Sequence, residues 1–305
     1  MTVNLKAKIY TDETAARKHL EKLHWPNGTI CPHCGVVGEA TELKGDSTRP
    51  GVWKCRACEK PFTVTVGTVF EDSKVPLTKW LLAAQLLTSS KKGISSHQLS
   101  RMLGVTYKTA WFMGHRIREM MAPAPDAPPM GGEGQIIEVD ETYIGRKKGR
   151  TAPKGGSGHK HAVVALVERG GKVRSVYAPK VGSGDVRKIL RANVSQEAHI
   201  RTDENPVYGQ LVRYASHEKV NHSKDEYVRG DAYTNTVEGV FSIFKRGMIG
   251  TYQHCGEQHL QRYLNEFDFR YSHREKLGVN DAMRAEAALK GAKGKRLTYH
   301  RLDSR

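Results

Sequence analysis

The chain has 305 residues, with 49 Lys and Arg against 32 Asp and Glu, a net charge of +17. That length allows two or more domains, and the positive excess points to a polyanion such as nucleic acid as partner. No apolar run approaches the roughly 20 residues of a membrane span, and the N-terminus lacks a signal-peptide core, so the expectation is a cytoplasmic, nucleoid-associated protein whose five cysteines stay reduced.

Residues 11–24 read as a short amphipathic helix capped by Thr11 or Asp12, with Ala15, Leu20 and Leu23 as its apolar stripe. Cys31 and Cys34 follow in CPHCG, and Cys55 and Cys58 in WKCRAC, with twenty residues between the pairs. Two C-x2-C turns present four thiolates, the closed tetrahedral set of a structural Zn²⁺ site. His33 lies between two of these ligands, but four cysteines already suffice. The β-rich run Phe62–Val66 is expected to complete the ribbon, giving a first region over 1–72. Cys255 stands in a different context and reads as a free thiol. Pro76 opens a helix over 76–90. Helical patterns over about 95–103 and 107–121 then flank Gly104-Val105-Thr106, the spacing of a helix–turn–helix. The region 73–121 is therefore expected to contact DNA through Tyr107, Lys108, Thr109 and Arg116, with Ala110, Met113 and Ile117 turned inward. Residues 122–134, with four prolines and three glycines, read as a linker.

The next domain spans 135–275. Residues 135–144 (QIIEVDETYI) form a strand that carries Asp140, and an ionised carboxylate there is costly unless it is paired or holds a metal. The loop Gly145–Lys160 has six Lys or Arg and no acid, so Arg146, Lys147, Lys148 and Arg150 are candidate DNA contacts. A hairpin over 161–167 and 172–178 follows, then a helix over 183–192 capped by Ser183. A strand over 198–203 ends on Asp203. A short helix over 206–214 and a strand near 217–222 lead to a helix from Thr234 to Lys245 that carries Glu238. Arg246, next to Lys245, is a further DNA-contact candidate. Three meandering strands followed by alternating β and α give a mixed sheet with flanking helices, an α/β domain. The pattern brings Asp140, Asp203 and Glu238 forward as a carboxylate set for divalent metal. Residues 250–274 read as a core helix. The histidines His254, His259 and His273 on this stretch read as structural or solvated. The remainder, 276–305, reads as a flexible basic tail.

WPNGTICPHCG, the second cysteine pair, LSRMLGVTYKTAWFMGHRIR, VDETYIGRKKG, TDE, NTVEGVFSIFKRGMIGTY and HLQRYLNEFDFRYSHR together cover nearly the whole chain. In this order they resemble bacterial insertion-sequence transposases of the Asp-Asp-Glu superfamily, in the zinc-ribbon, ISXO2-like branch. The resemblance implies a ribonuclease-H-like fold and Mg²⁺ or Mn²⁺ at Asp140, Asp203 and Glu238. It also implies a catalytic lysine at Lys245, which lies two helical turns after Glu238 and so on the same face. Asn235, one turn before Glu238, is the alternative third ligand. The implied activity is cleavage of double-stranded DNA at element ends and joining of the 3′ ends to target DNA by two-metal phosphoryl transfer. Pairing two ends calls for a homodimer or higher oligomer. The alternatives are a ribonuclease-H-like nuclease without strand transfer and a non-catalytic zinc-ribbon, helix–turn–helix regulator.

Overall fold

The computed structural model describes residues 3–151, 157–209, 211–220 and 233–298. It divides into two compact units, one of residues 1–122 with 279–305 and one of residues 123–278. Among the described residues no helix is long and apolar enough to cross a membrane.

In the first unit, α1 (Glu13–His24) begins where the Asp12 side chain accepts from the N–H groups of Thr14 and Ala15. That bond satisfies donors the helix itself cannot pair. Three short strands, β1 (Ala40–Glu42), β2 (Trp53–Cys55) and β3 (Pro61–Phe62), form an antiparallel ribbon. The expected strand over 62–66 stops after Phe62, because Val66 N–H bonds back to Thr63 and the Thr63 and Thr65 hydroxyls pair at 2.8 Å, closing a turn. Helices α2 (Leu77–Ser89), α3 (Ser96–Leu103) and α4 (Tyr107–Met121) follow at the expected positions. Gly104 ends α3 at φ 59°, a left-handed cap that glycine adopts without a Cβ penalty. The Thr106 hydroxyl then caps α4.

From residue 279 to residue 298 the stretch expected to be a flexible tail is instead part of this unit. A helix over Asp281–Lys290 buries Ala285, Ala288 and Leu289, and Arg284 reaches the Thr88 carbonyl of α2 at 3.2 Å. The His24 ring bonds the Leu289 carbonyl at 2.9 Å. A Cβ at Gly291 would stand 2.3 Å from the Met120 carbonyl oxygen, so the chain passes α4 too closely for any side chain. The small, evenly spaced alanines of this helix permit that close packing, whereas its surrounding lysines and arginines disguised it as a solvated segment. Residues 299–305 lie outside the described residues.

The second unit is built on a five-stranded sheet of β4 (Ile136–Ile144), β5 (His161–Glu168), β6 (Val173–Ala178), β7 (His199–Asp203) and β8 (Ser216–Val220), in the order β6-β5-β4-β7-β8. The first three strands form an antiparallel meander, and β7 and β8 run parallel to β4. This is the ribonuclease-H-like arrangement, with β4 at the centre. β5 is buried on both faces. Its Val164 and Leu166 meet α5 (Ser183–Asn193), through Val186 and Leu190. Its Val163, Ala165 and Val167 meet α6 (Asn235–Gly247) and α7 (Leu260–Ser272), through Val237, Phe241, Leu264 and Phe267. Each such fully buried aliphatic side chain contributes about 1.5–3 kcal/mol of transfer free energy.

Four details differ from the sequence reading. Gly182, not Ser183, caps α5, without a side-chain bond. The helix expected over 206–214 is one 3-10 turn, Pro206–Tyr208, ended by Gly209 at φ 52°. The helix expected from 250 begins at Leu260, after a π-turn at Met248–Tyr252 that extends α6. The stretch 122–134 is not linker throughout: Met130 is buried in the α5-side core and its N–H bonds Asn193 O at 2.7 Å. The far end of the expected strand near 217–222 lies outside the described residues.

Candidate active site and zinc ribbon

The four cysteine sulfurs lie within 4.8 Å of one another, with Cys31–Cys58 and Cys34–Cys55 at 3.7 Å. A tetrahedron with Zn–S bonds of about 2.3 Å has edges of about 3.8 Å, so the donor set fits Zn²⁺ in size and softness. Local backbone holds each pair in place. Gly35 N–H bonds Cys31 O, and Gly35 takes φ 77° to complete the first turn. Glu59 takes φ 57° at the same place after Cys58. Trp25 packs edge-on against Trp53 and Phe62 beneath the cluster. His33 is exposed, with its ring 3.4 Å from Pro61 O, and stands apart from the sulfurs. Cys255 is outside the cluster and unbridged, with its sulfur 3.3 Å from Gly256 O.

In the helix–turn–helix, Tyr107 and Lys108 are exposed at the start of α4, with Tyr107 stacked on His97 at 4.3 Å. Thr109 is half-buried and its hydroxyl pairs with Thr106 at 2.9 Å. Ala110, Met113 and Ile117 are core, as expected. Arg116 is not on the outer face. It is 7% exposed, donating to Val69 O at 2.8 Å, Glu71 O at 3.0 Å and Leu297 O at 3.1 Å. Three carbonyls of irregular chain converge there, and the rigid guanidinium fork satisfies them together. This arginine is turned inward as a structural brace, against the expected outward position.

Asp140 lies on β4, Asp203 ends β7, and Glu238 is in the first turn of α6. β4 and β7 are parallel and pair Glu138 with Arg201. Continuing that register by two residues brings Asp140 level with Asp203. Alternation places Glu138 and Asp140 on one face of β4, and Glu138 identifies that face as the one covered by α6. It is fully buried, accepting from Thr236 N–H at 2.9 Å, Val237 N–H at 3.1 Å and the Thr236 hydroxyl at 2.8 Å. A 2.7 Å ion pair with Arg169 balances its charge, and the Arg169 guanidinium lies 3.5 Å from the Tyr233 ring centroid. Glu138 thus caps α6 from the central strand and fixes the helix that bears Glu238. It was missed in the sequence, although Glu138, Asp140 and Thr142 form an alternating polar row on one face of the strand.

Burial first, and then the charges of Asp203, Glu141 and Glu238, push the Asp140 carboxyl up to about 7. A bond from Glu141 N–H to Asp140 Oδ1, at 2.7 Å, opposes the shift without cancelling it. Glu141 points to the other side of β4 and was also overlooked. It accepts from Asn205 Nδ2 at 2.6 Å and from the Tyr208 hydroxyl, and burial raises its own pKa. Asn205 N–H in turn donates to Asp203 Oδ1 at 3.1 Å. Glu141 therefore anchors the turn that follows Asp203. Glu238 is exposed, with the Thr234 hydroxyl 3.4 Å away, and Asn235 is exposed at the start of the same helix. Lys245 is half-buried two turns further along α6, and Arg246 is exposed, its Nε bonding Ser242 O at 3.1 Å. Asp140, Asp203 and Glu238 thus lie on neighbouring elements and feel one another's charge, but among the described residues only the four cysteines bring three or more ligand atoms within 4.8 Å of one another.

In the loop after β4, Arg146, Lys148 and Arg150 are exposed. Lys147 is half-buried, and its ammonium caps Pro179 O at 3.1 Å. Residues 152–156 of this loop lie outside the described residues.

A family model described as the ISXO2-like transposase domain matches residues 131–272, and one described as a transposase zinc-ribbon domain matches residues 11–61. An uncharacterized protein in transposable element ISH50 of Halobacterium salinarum is 30% identical over 280 residues, covering 86% of this chain and 92% of that protein. Among solved structures, a chain of a simian T-cell lymphotropic virus intasome in complex with PP2A regulatory subunit B56 gamma aligns with a TM-score of 0.29 and 14% identity, over 56% of this chain and 63% of that one. The Mos1 transposase paired-end complex with left transposon end aligns with a TM-score of 0.23 and 14% identity, over 73% and 77%. Neither structural likeness is strong enough to carry an argument; the two family models and the Halobacterium relative do. The chain belongs to the ISXO2-like transposase family.

Proposed function

We propose that the chain binds the ends of its insertion sequence as double-stranded DNA, cuts them, and joins the freed 3′ ends to target DNA. The observation that carries this reading is Asp140, half-buried on the central strand, its carboxyl raised by desolvation and then by Asp203 and Glu238, which come from a neighbouring strand and a covering helix. Divalent metal, Mg²⁺ or Mn²⁺, held by Asp140, Asp203 and Glu238 would activate the attacking oxygen and stabilise the leaving oxygen of an in-line displacement. Glu138 and Arg169 hold α6 against β4, and Glu141 holds the turn after Asp203, so the acids are kept in place before substrate arrives. Lys245 neutralises charge on the phosphate beside the scissile bond. Arg246 and the loop cations Arg146, Lys147, Lys148 and Arg150 contact the DNA backbone.

Tyr107, Lys108 and Thr109 at the start of α4 read the element end, and the zinc ribbon gives that unit a rigid second surface. Two ends are paired in the reaction, so the working form is a homodimer or higher oligomer. The test is incubation of the Zn-loaded protein with element-end duplex, target DNA and Mg²⁺. Joined products are expected. Cut products alone would indicate a nuclease, and a mobility shift without chemistry would indicate a regulator; either result overturns the proposal.

A further inference from the structure

We propose that the cavity between α5 and the segment 211–214 binds a backbone phosphate of duplex DNA, on the face of the sheet opposite the catalytic acids. This rests on the reading of the chain as DNA-binding. The cavity measures about 450 Å³ and is lined by Arg187, Leu190, Arg191, Leu211, Val212, Arg213 and Tyr214. Arg187 and Arg191 are four residues apart on α5 and therefore share one face of the helix. Arg213 enters from the facing segment. All three arginines are exposed, while Leu190 and Leu211 form a buried apolar floor.

The second observation is the Tyr214 hydroxyl. Tyr214 is 8% exposed, and its oxygen is buried with no hydrogen-bond partner. Buried hydroxyls without partners are rare, and a phosphate oxygen entering the cavity would accept this one. Gln196 steadies one of the arginines: with its amide oxygen turned toward Arg213, it accepts from Nη2 at 2.6 Å and from Nε at 3.3 Å. Among the described residues no acid lines the cavity to neutralise the three guanidinium groups. Planar forks around a buried hydroxyl donor suit a tetrahedral oxyanion with several acceptor oxygens.

The cavity is separate from the catalytic acids. Val186 and Leu190 of α5 pack on Ile137 and Val139, the β4 residues that alternate with Glu138 and Asp140. A duplex held here is therefore a second stretch of DNA, or a continuation of the first beyond the reacting end. The link to the active site is short, because Gly209 lies beside Arg187, six residues after Asp203.

The test measures binding of a duplex of arbitrary sequence to the full-length protein by fluorescence anisotropy across a salt series. The variants are Arg191→Gln with Arg213→Gln, Tyr214→Phe, and Lys188→Gln. Lys188 is exposed on α5 but does not line the cavity, so it controls for charge alone. The double arginine variant is expected to flatten the slope of log affinity against log salt by about 0.9, the value for one lost phosphate contact. Tyr214→Phe should weaken binding with little change of slope, and Lys188→Gln should leave both unchanged. If Lys188→Gln matches the double variant, the effect is diffuse surface charge and the proposal fails. If inorganic phosphate raises the melting temperature of the wild type while DNA slopes do not differ, the cavity takes free phosphate and the DNA assignment fails. A wild type that binds no duplex would instead sink the DNA-binding reading itself.

Discussion

Asp140 should destabilise the protein that it serves. Its carboxyl is pushed up to about 7 from an ordinary 3.8, first by burial and then by Asp203, Glu141 and Glu238. The folded chain therefore holds a proton that the unfolded chain has already released. Stability falls as pH rises from about 4 to about 7 and stays low above that range. Three pKa units correspond to about 4 kcal/mol at 1.36 kcal/mol each. Part of Asp140's surface is reached by solvent and local relaxation softens the repulsion, so about 2 kcal/mol is a better expectation. Asp140→Asn removes the charge while keeping the shape. In magnesium-free buffer at pH 8, with the ribbon's zinc retained, the variant should melt about 4–8 °C above the wild type in calorimetry, at roughly 2–4 °C per kcal/mol for a unit of this size. At pH 4 the two should melt together. Added Mg²⁺ should raise the wild type and leave the variant unmoved. A variant that melts below the wild type at pH 8, or a wild type that gains stability between pH 4 and 7, would refute the crowded-carboxylate account.

Cys34→Ser should reduce bound zinc from one per chain to none by elemental analysis; retained zinc would mean that another ligand set holds it. Glu138→Ala leaves the half-buried Arg169 without its carboxylate and strips the cap from α6, at a cost of about 3 kcal/mol by urea unfolding. Glu138→Gln should cost less, since it still accepts from the helix N-terminus, and equal losses would remove the capping role. Arg116→Ala should cost about 3 kcal/mol by leaving carbonyls without a donor, and Arg116→Lys should not restore it. Unchanged stability with weakened DNA binding would return Arg116 to the DNA-facing side.

The parts that sequence revealed are those whose chemistry depends on spacing. Cys31, Cys34, Cys55 and Cys58 announce their site because two C-x2-C turns have one dominant use. Asp140 stands out because a carboxylate interrupts an apolar strand, and the strand order follows from three β-runs before the first βα unit. Arg116 was misread because its partners are carbonyls of Val69, Glu71 and Leu297, and main-chain acceptors leave no trace in side-chain pattern. Glu138 was overlooked for the opposite reason. Its signal, an alternating polar row, was present, but its partners come from α6, nearly one hundred residues away. The docked helix over Asp281–Lys290 hid behind charge: its buried face is Ala285 and Ala288 with Arg284 and one leucine, Leu289, a weak apolar signal.

The most direct measurement of the central claim compares Asp140→Asn, Asp203→Asn and Glu238→Gln with the wild type in one Mg²⁺ assay on element-end duplex, scoring bound, cut and joined DNA together. Each variant is expected to bind DNA as the wild type does and to yield neither cut nor joined product, because it has lost a metal ligand and not a phosphate contact. Near-normal joining by any one of the three would contradict its assignment, and survival of Glu238→Gln would transfer the third position to Asn235.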